Sequence, residues 1–237
     1  MIRLYSETSF FENQEISLDE KQSHYIQNVM RLHQGDEILL FNGRQGEWKA
    51  RISGVSKKTI TLLLLSQSSV QRQEGDLWLL FSPLKPKRQE FLVEKATELG
   101  VSCLCPLRFE RTNFFKVNVE KMQAHVREAA EQCGRLTLPE IKPLVSFPEL
   151  LKNWPHNRLL FFGDESLTSP VLSTLTLDAQ KPCAFLVGPE GGFTSSELAL
   201  LKSHEVVQGV TLNSHILRAE TAALVGVAYF QMIAERS

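Results

Sequence analysis

The chain has 237 residues, with 26 Lys and Arg against 27 Asp and Glu for a net charge of −1. Apolar residues make up 43 % and charged residues 22 %, enough to pack one large domain or two modest ones, which excludes pervasive disorder. No apolar run approaches the ~20 residues of a membrane helix, four cysteines are too few for a disulfide scaffold, and acids stand where a signal peptide would be apolar, so a cytoplasmic protein is expected.

Residues 1–70 read as a small β-rich unit. Ile2–Tyr5 is a short strand, and Asp19 caps a helix running through His24 to Met30, with Tyr25, Ile26 and Val29 on one face. Glu37–Phe41, Glu47–Ser53 and Thr59–Leu65 are strand-like runs, the first two separated by Asn42-Gly43, a hairpin signal, and the last two by the Ser53–Lys58 turn. Short strands with tight turns predict a small barrel. The polar stretch Ser66–Asp76 is the expected linker.

The rhythm changes over residues 75–237. Leu77–Phe81 is a buried-strand run, Lys87–Leu99 a helix stopped by Gly100, Val101–Leu107 a strand, and Val119–Cys133 a helix stopped by Gly134. Arg158–Phe162 and Ala184–Val187 are apolar runs of the kind found in parallel strands. Thr194–His204 is helical, Val206–Leu212 a strand, and Ala219–Glu235 a last helix, apolar on nearly all sides from Ala222 to Phe230. Strands alternating with helices of this length predict an α/β domain with a mostly parallel sheet.

Two segments carry the chemistry. In Phe185–Phe193 an apolar strand enters the Gly-rich loop Gly188-Pro189-Glu190-Gly191-Gly192, followed by a capping box of Thr194 and Glu197. Ligands of open α/β sheets sit at the carboxyl ends of strands, where such a loop lies. Taken alone, the loop is slightly better explained as a tight strand-to-helix turn. It is neither GxGxxG nor a GK[ST] loop, which argues against a dinucleotide or nucleoside triphosphate site, and Glu190 would also repel phosphate. The second segment, Thr211–Leu224, again joins strand to helix, with Arg218 and Glu220 at the helix start; a structural ion pair is the bland account of those two.

Charge is unevenly spread. Residues 85–142 hold eleven Lys and Arg against eight Asp and Glu, whereas residues 159–237 hold four against eight. The middle of the chain suits a polyanion and the last third does not.

The pair GPEGGF and ILRAETAAL resembles the two cofactor motifs of the RsmE family of ribosomal RNA methyltransferases, within the SPOUT class. Lys95–Val101, Glu110-Arg111-Thr112 and Glu131–Arg135 follow the family's order, as do Arg3, His24, Val29-Met30-Arg31 and Gly35-Asp36 near the N-terminus, so the resemblance spans essentially the whole chain. It implies a PUA-like β-barrel that helps hold RNA, then an α/β SPOUT domain with a deep C-terminal trefoil knot. It implies S-adenosylmethionine as cofactor and a homodimer with the site near the subunit interface. The implied substrate is N3 of one uridine of 16S rRNA, uridine 1498 in the family, in the 30S subunit.

On these motifs the cofactor residues are Phe162, Gly188, Gly191, Gly192, Leu212, Asn213 and Leu217, and the catalytic ones Arg218, Glu220 and Glu190. Uridine N3 is a poor nucleophile until its proton leaves. Arg218 is expected to stabilise the charge that develops on O2 and O4, with Glu220 or Glu190 taking the proton or orienting the arginine. Arg3, Arg31, Lys85, Lys87, Arg88, Arg111 and Arg135 are the candidate RNA contacts. The chain departs from the family at Asn213-Ser214-His215, where Gly-Pro-Arg is usual, and at Pro86, where glycine is usual.

Three rivals were weighed. Cys103, Cys105 and Cys133 lack the paired spacing of a zinc site, so no metal is expected. A SPOUT ribose 2′-O-methyltransferase would share the fold but change the product. A non-catalytic ribosome-assembly factor would have no need of the complete Arg218–Glu220 segment.

Overall fold

The computed structural model of the protein describes every residue except 57, 73, 176, 177, 179, 180 and 235–237. Its contacts divide it into one unit of Met1–Gln73 with Ala130–Leu138 and a second of Glu74–Ala129 with Pro139–Ser237. The return of residues 130–138 to the first unit departs from the contiguous division read from the sequence.

The first unit contains β1 (Arg3–Tyr5), β2 (Glu15–Ser17), α1 (Glu20–His24), a π-helical turn (Tyr25–Val29), β3 (Glu37–Phe41), β4 (Glu47–Val55) and β5 (Ile60–Ser69). The strands form one sheet in the order β1-β3-β4-β5-β2, antiparallel except for β1 beside β3. Among the described residues no ladder joins β1 to β2, so the sheet is a partial barrel with two edges. Ile60, Leu62 and Leu64 alternate inward along β5 and meet Ile38, Leu40 and Ile52 in the core.

Local chemistry explains the differences from the expected elements. Asp19 caps α1 by accepting from the Gln22 amide at 2.7 Å, as expected. The helix then widens into the π-turn, and the extra residue per turn rotates Val29 off the face of buried Ile26 to 58 % exposure. The Asn42-Gly43 pair does not make a two-residue hairpin: Phe41 pairs with Glu47, and Asn42 Oδ1 accepts from the amides of Arg44 and Gln45, so the loop is a five-residue Asx turn. The polar start of the expected linker continues β5 to Ser69, held by Ser68 Oγ on the Glu47 carbonyl.

The second unit contains β6 (Leu77–Phe81), α2 (Pro86–Glu98), β7 (Cys103–Arg108), α3 (Val119–Cys133), β8 (Glu140–Ile141), β9 (Val145–Ser146), α4 (Phe147–Lys152), β10 (Leu159–Gly163), a 3-10 turn (Leu172–Thr174), β11 (Cys183–Val187), α5 (Ser195–Ser203), β12 (Val207–Val210) and α6 (Ala219–Ala234). The last turn of α3 belongs to the first unit. Glu235, the expected end of the last helix, lies outside the described residues. The sheet runs β12-β10-β11-β6-β7-β8, parallel throughout, with β9 also beside β7. This is the expected α/β class.

Phe81, Phe147, Phe162 and Phe185 are fully buried in this unit, each worth roughly 1.5–3 kcal/mol of transfer free energy. The ring of Phe185 lies where a side chain on Gly226 would stand, so that glycine lets α6 close onto β11. No helix among the described residues is long and apolar enough to cross a membrane.

Candidate active site

The carboxyl ends of β10, β11 and β12 converge on one cavity of about 350 Å³. Gly163, Asp164, Glu165 and Leu167 follow β10 along its wall. Val187, Gly188, Pro189, Glu190, Gly192 and Phe193 follow β11, and Leu212, Asn213 and His215–Ala219 follow β12. Ala222 on α6 and Arg88 on α2 complete the lining. The volume lies at the small-ligand end of the usual range, and the convergence is where parallel sheets bind ligands.

Each loop is held by its own chemistry. Gly188 is bare because the Phe193 ring fills its Cβ position, at 2.8–3.1 Å. Gly192 has φ +70°, a left-handed backbone, with the Glu165 carboxylate over it. The capping box forms as expected: Glu197 Oε2 accepts from the Thr194 amide at 2.8 Å, and Thr194 Oγ1 accepts from Glu197 N at 3.3 Å.

Asp164 ties the loop after β10. It accepts from Ser166 N at 3.0 Å and from the hydroxyls of Ser166 and Ser169, each at 2.6 Å. Burial pushes its carboxyl up, but those hydrogen bonds outweigh burial and hold it below the usual aspartate range. The Ser169 carbonyl in turn accepts from Thr211 Oγ1 at 2.7 Å, which fastens this loop to the one after β12.

The charged groups fall into two sets. Arg88 Nη1 bonds Glu190 Oε1 at 2.5 Å, and Arg88 Nε lies 3.6 Å from Glu220 Oε1. Glu220 is only 9 % exposed and stands behind the wall, with Oε2 sealed from solvent and unpartnered among the described residues. Arg218 lines the cavity, exposed, and its guanidinium has no partner among the described residues.

Of the expected cofactor residues, Gly188, Gly192, Leu212, Asn213 and Leu217 share the cavity wall. Phe162 does not: it is 1 % exposed inside the core, its ring edge-on to Phe193 at 5.8 Å, because its strand points it beneath the sheet rather than out of its end. Gly191 also stands off the wall, beneath Arg111, whose Nη1 donates to the Gly191 carbonyl at 2.9 Å. Of the expected catalytic residues, Arg218 and Glu190 line the cavity and Glu220 does not. Both glutamates meet Arg88, not Arg218.

The expected RNA contacts divide. Arg31, Lys85 and Lys87 are exposed. Arg31 takes a left-handed φ of 56° just after the π-turn. Arg3 is turned inward: its side chain is 10 % exposed and Nε pairs with Glu47 at 2.6 Å. Its Nη1 donates to the Ala130 carbonyl at 2.7 Å and Nη2 to that of Arg135 at 3.0 Å, capping the end of α3, with Phe41 beneath at 4.6 Å. Arg135 is itself buried, with Nε on Thr137 Oγ1. These two arginines are structural ties.

The sequence reading missed Asp164, Glu165, Leu167 and Phe193. An acidic pair directly after the apolar run Arg158–Phe162, at a strand's carboxyl end, was the available signal. Among the described residues no group of three or more His, Cys, Asp or Glu side chains is arranged to hold a metal. Cys103 and Cys105 instead lie buried side by side, with sulfurs 3.5 Å apart.

A cavity at the strand ends of a parallel sheet is the setting of a small-molecule site. The family model described as an RNA methyltransferase domain matches residues 71–231, and one described as an RNA methyltransferase PUA domain matches residues 18–65. The chain belongs to the RsmE family, the ribosomal RNA small subunit methyltransferase E proteins. It is 32 % identical to the Rickettsia conorii ribosomal RNA small subunit methyltransferase E, over 98 % of this chain and 95 % of that protein. A crystal structure of the Neisseria gonorrhoeae protein of that name, bound to S-adenosylmethionine, superposes with a TM-score of 0.89 at 27 % identity, covering 98 % of this chain and 97 % of the other. A methyltransferase from Legionella pneumophila with the same bound cofactor gives 0.85 at 29 % identity, covering 98 % and 97 %.

Proposed function

We propose that this protein uses S-adenosylmethionine to methylate N3 of a uridine of 16S rRNA in the small ribosomal subunit, the position that is uridine 1498 in the family. The observation that carries the reading is Arg218, without a partner among the described residues, on the wall of the cavity at the carboxyl ends of β10, β11 and β12.

The residues present fit the cofactor. The bare backbone at Gly188 and Gly192 lets main-chain groups approach a ligand, and Leu212, Leu217, Val187 and Phe193 supply apolar walls for an adenine. Glu165 and Glu190 give the cavity the negative charge that suits a sulfonium. Bound there, S-adenosylmethionine supplies an electrophilic methyl group. Arg218, unspent on any internal pair, stabilises negative charge on uracil O2 or O4 as N3 loses its proton. Glu190 takes that proton, because it lines the cavity whereas Glu220 is buried beside Arg88. Arg31, Lys85 and Lys87 meet RNA phosphates, and Arg111 stands above the Gly-rich loop.

Two further features belong to this reading. β12 lies at the sheet edge beside β10, yet α6 packs on β11 and β6, so the chain crosses the β10–β11 connection, to which Thr211 is bridged at Val171; that crossing supports the trefoil knot. Val225 and Met232, two turns apart on α6, and Phe91 on the neighbouring α2 are exposed and apolar, which supports a homodimer. The test is methyl transfer from labelled S-adenosylmethionine to small subunits from cells lacking this protein, with nucleoside mass analysis. Labelled 3-methyluridine is the expected product. A 2′-O-methyl nucleoside, or bound cofactor with no transfer, would overturn the reading.

A further inference from the structure

We propose that Arg88 is a positioning residue of this methyl transfer, anchored by buried Glu220, rather than an RNA contact; the inference rests on the function proposed above. Arg88 is the one cavity-lining cation on α2, and it stands between two carboxylates: Glu190 Oε1 at 2.5 Å from Nη1 and Glu220 Oε1 at 3.6 Å from Nε.

Burying a carboxylate such as Glu220 is costly without a cation beside it, and Arg88 is the cation that stands there. The 3.6 Å contact is an ion pair without a hydrogen bond, and it draws the guanidinium toward Glu220 while Nη1 makes the short bond to Glu190. A guanidinium is a rigid planar fork, so fixing Nε fixes the direction of Nη1, and with it the Glu190 carboxylate. Glu190 sits on a Gly-rich loop that would otherwise leave its side chain free to rotate. Held by Oε1, it keeps Oε2 without a hydrogen bond among the described residues. Oε2 then accepts the N3 proton: the N3–H bond breaks, an O–H bond forms on Glu190, and the electron pair stays on N3 as the nucleophile.

The same arithmetic argues against a phosphate contact. One arginine and two glutamates sum to −1, which repels a phosphodiester. Among the described residues the unpaired arginine at this cavity is Arg218, and the paired one is Arg88.

The test uses the full-length protein with small subunits as acceptor, comparing R88A, R88K, E220Q and the R88A/E220Q double variant. Melting temperature and S-adenosylmethionine binding report folding. R88A is expected to lower kcat by about 100-fold, the lower end of what a positioned base contributes. KM for subunits and the salt slope of subunit binding stay within about twofold of wild type, and R88K keeps part of kcat because the ion pairs survive. E220Q falls with R88A, and the double variant is no worse than either, since both act through one guanidinium.

If R88A instead raises KM and lowers the salt slope by about 1 with kcat unchanged, Arg88 is a phosphate contact and the proposal fails. Losses that multiply in the double variant also overturn it. Should E220Q not fold, the R88A and R88K pair decides through the KM-against-kcat split and the salt slope. A wild type that forms no 3-methyluridine overturns the proposed function and this inference with it. A wild type that does, with variants behaving otherwise, overturns this inference alone.

Discussion

Gly188→Ala tests the cavity wall directly. A Cβ on Gly188 would stand 2.8, 2.9 and 3.1 Å from Cζ, Cε2 and Cε1 of Phe193, inside any tolerated carbon contact. The ring has little room to retreat, being 8 % exposed and flanked by Phe109 at 5.5 Å and Phe162 at 5.8 Å. Overpacking of this kind costs about 1–3 kcal/mol. At about 2 kcal/mol, a chain of this size should melt about 4–8 °C lower. If the backbone yields instead of the ring, Gly188 moves toward the cavity, and S-adenosylmethionine affinity should fall at least ~10-fold, or about 1.4 kcal/mol. Scanning fluorimetry and titration calorimetry read the two effects. Adding Phe193→Leu removes the clashing carbons, so the double variant should recover more than additivity allows. An unchanged melting temperature with unchanged affinity, or strictly additive losses, would refute the steric account of this glycine.

Three other outcomes follow from the site and its surroundings. Arg218→Ala should lower kcat by about 10²–10³, as loss of a charge-stabilising donor does, with S-adenosylmethionine affinity within about threefold of wild type, measured by calorimetry and single-turnover transfer. Asp164, whose carboxyl is held low, contributes stability that is present above the unfolded aspartate value and lost as pH falls through the lower folded one; Asp164→Asn should therefore have a lower urea midpoint at pH 7 and a flatter profile toward acid than wild type. Thiol titration of the native protein should find Cys133 fast and the others slow, since Cys133 is exposed, the hydrogen bond with Cys103 and then burial raise the thiol of Cys105, and burial raises that of Cys183 to about 11.

Long elements with strong periodic or terminal signals were legible in the sequence. α3 occupies Val119–Cys133 as expected, and Gly100 and Gly134 take positive φ just past the ends of α2 and α3. The elements that were missed are those whose partners lie far along the chain. β2 is three residues long and exists because Glu15, Ile16 and Ser17 pair with Leu63, Leu62 and Thr61. β8 and β9, two residues each, exist only beside β7. The π-turn is invisible to a pattern reading because Tyr25, Ile26 and Val29 have ordinary helical spacing; only the Met30 N to Tyr25 O bond shows the widened turn.

The site was legible as loops but not as charges, and the reason is the same distance problem in electrostatic form. A glycine-rich run after an apolar strand has one geometric outcome, so Gly188 and Gly192 line the cavity at the strand's end. An arginine has several: it can face solvent, cap a helix, or neutralise a buried acid. Arg3 finds its carbonyl acceptor 127 residues away, and Arg88 finds Glu190 after 102. Local charge counts cannot separate these outcomes, because each arginine adds the same +1 to the sum. What separates them is whether a carboxylate or carbonyl already holds the guanidinium. By that criterion Arg3 and Arg135 serve the fold, Arg88 is bound to the cavity wall, and Arg218 is left as the cation whose charge is unspent. Arg218 is exposed on the cavity wall and no carboxylate holds its guanidinium among the described residues, so its charge is available to a group in the cavity.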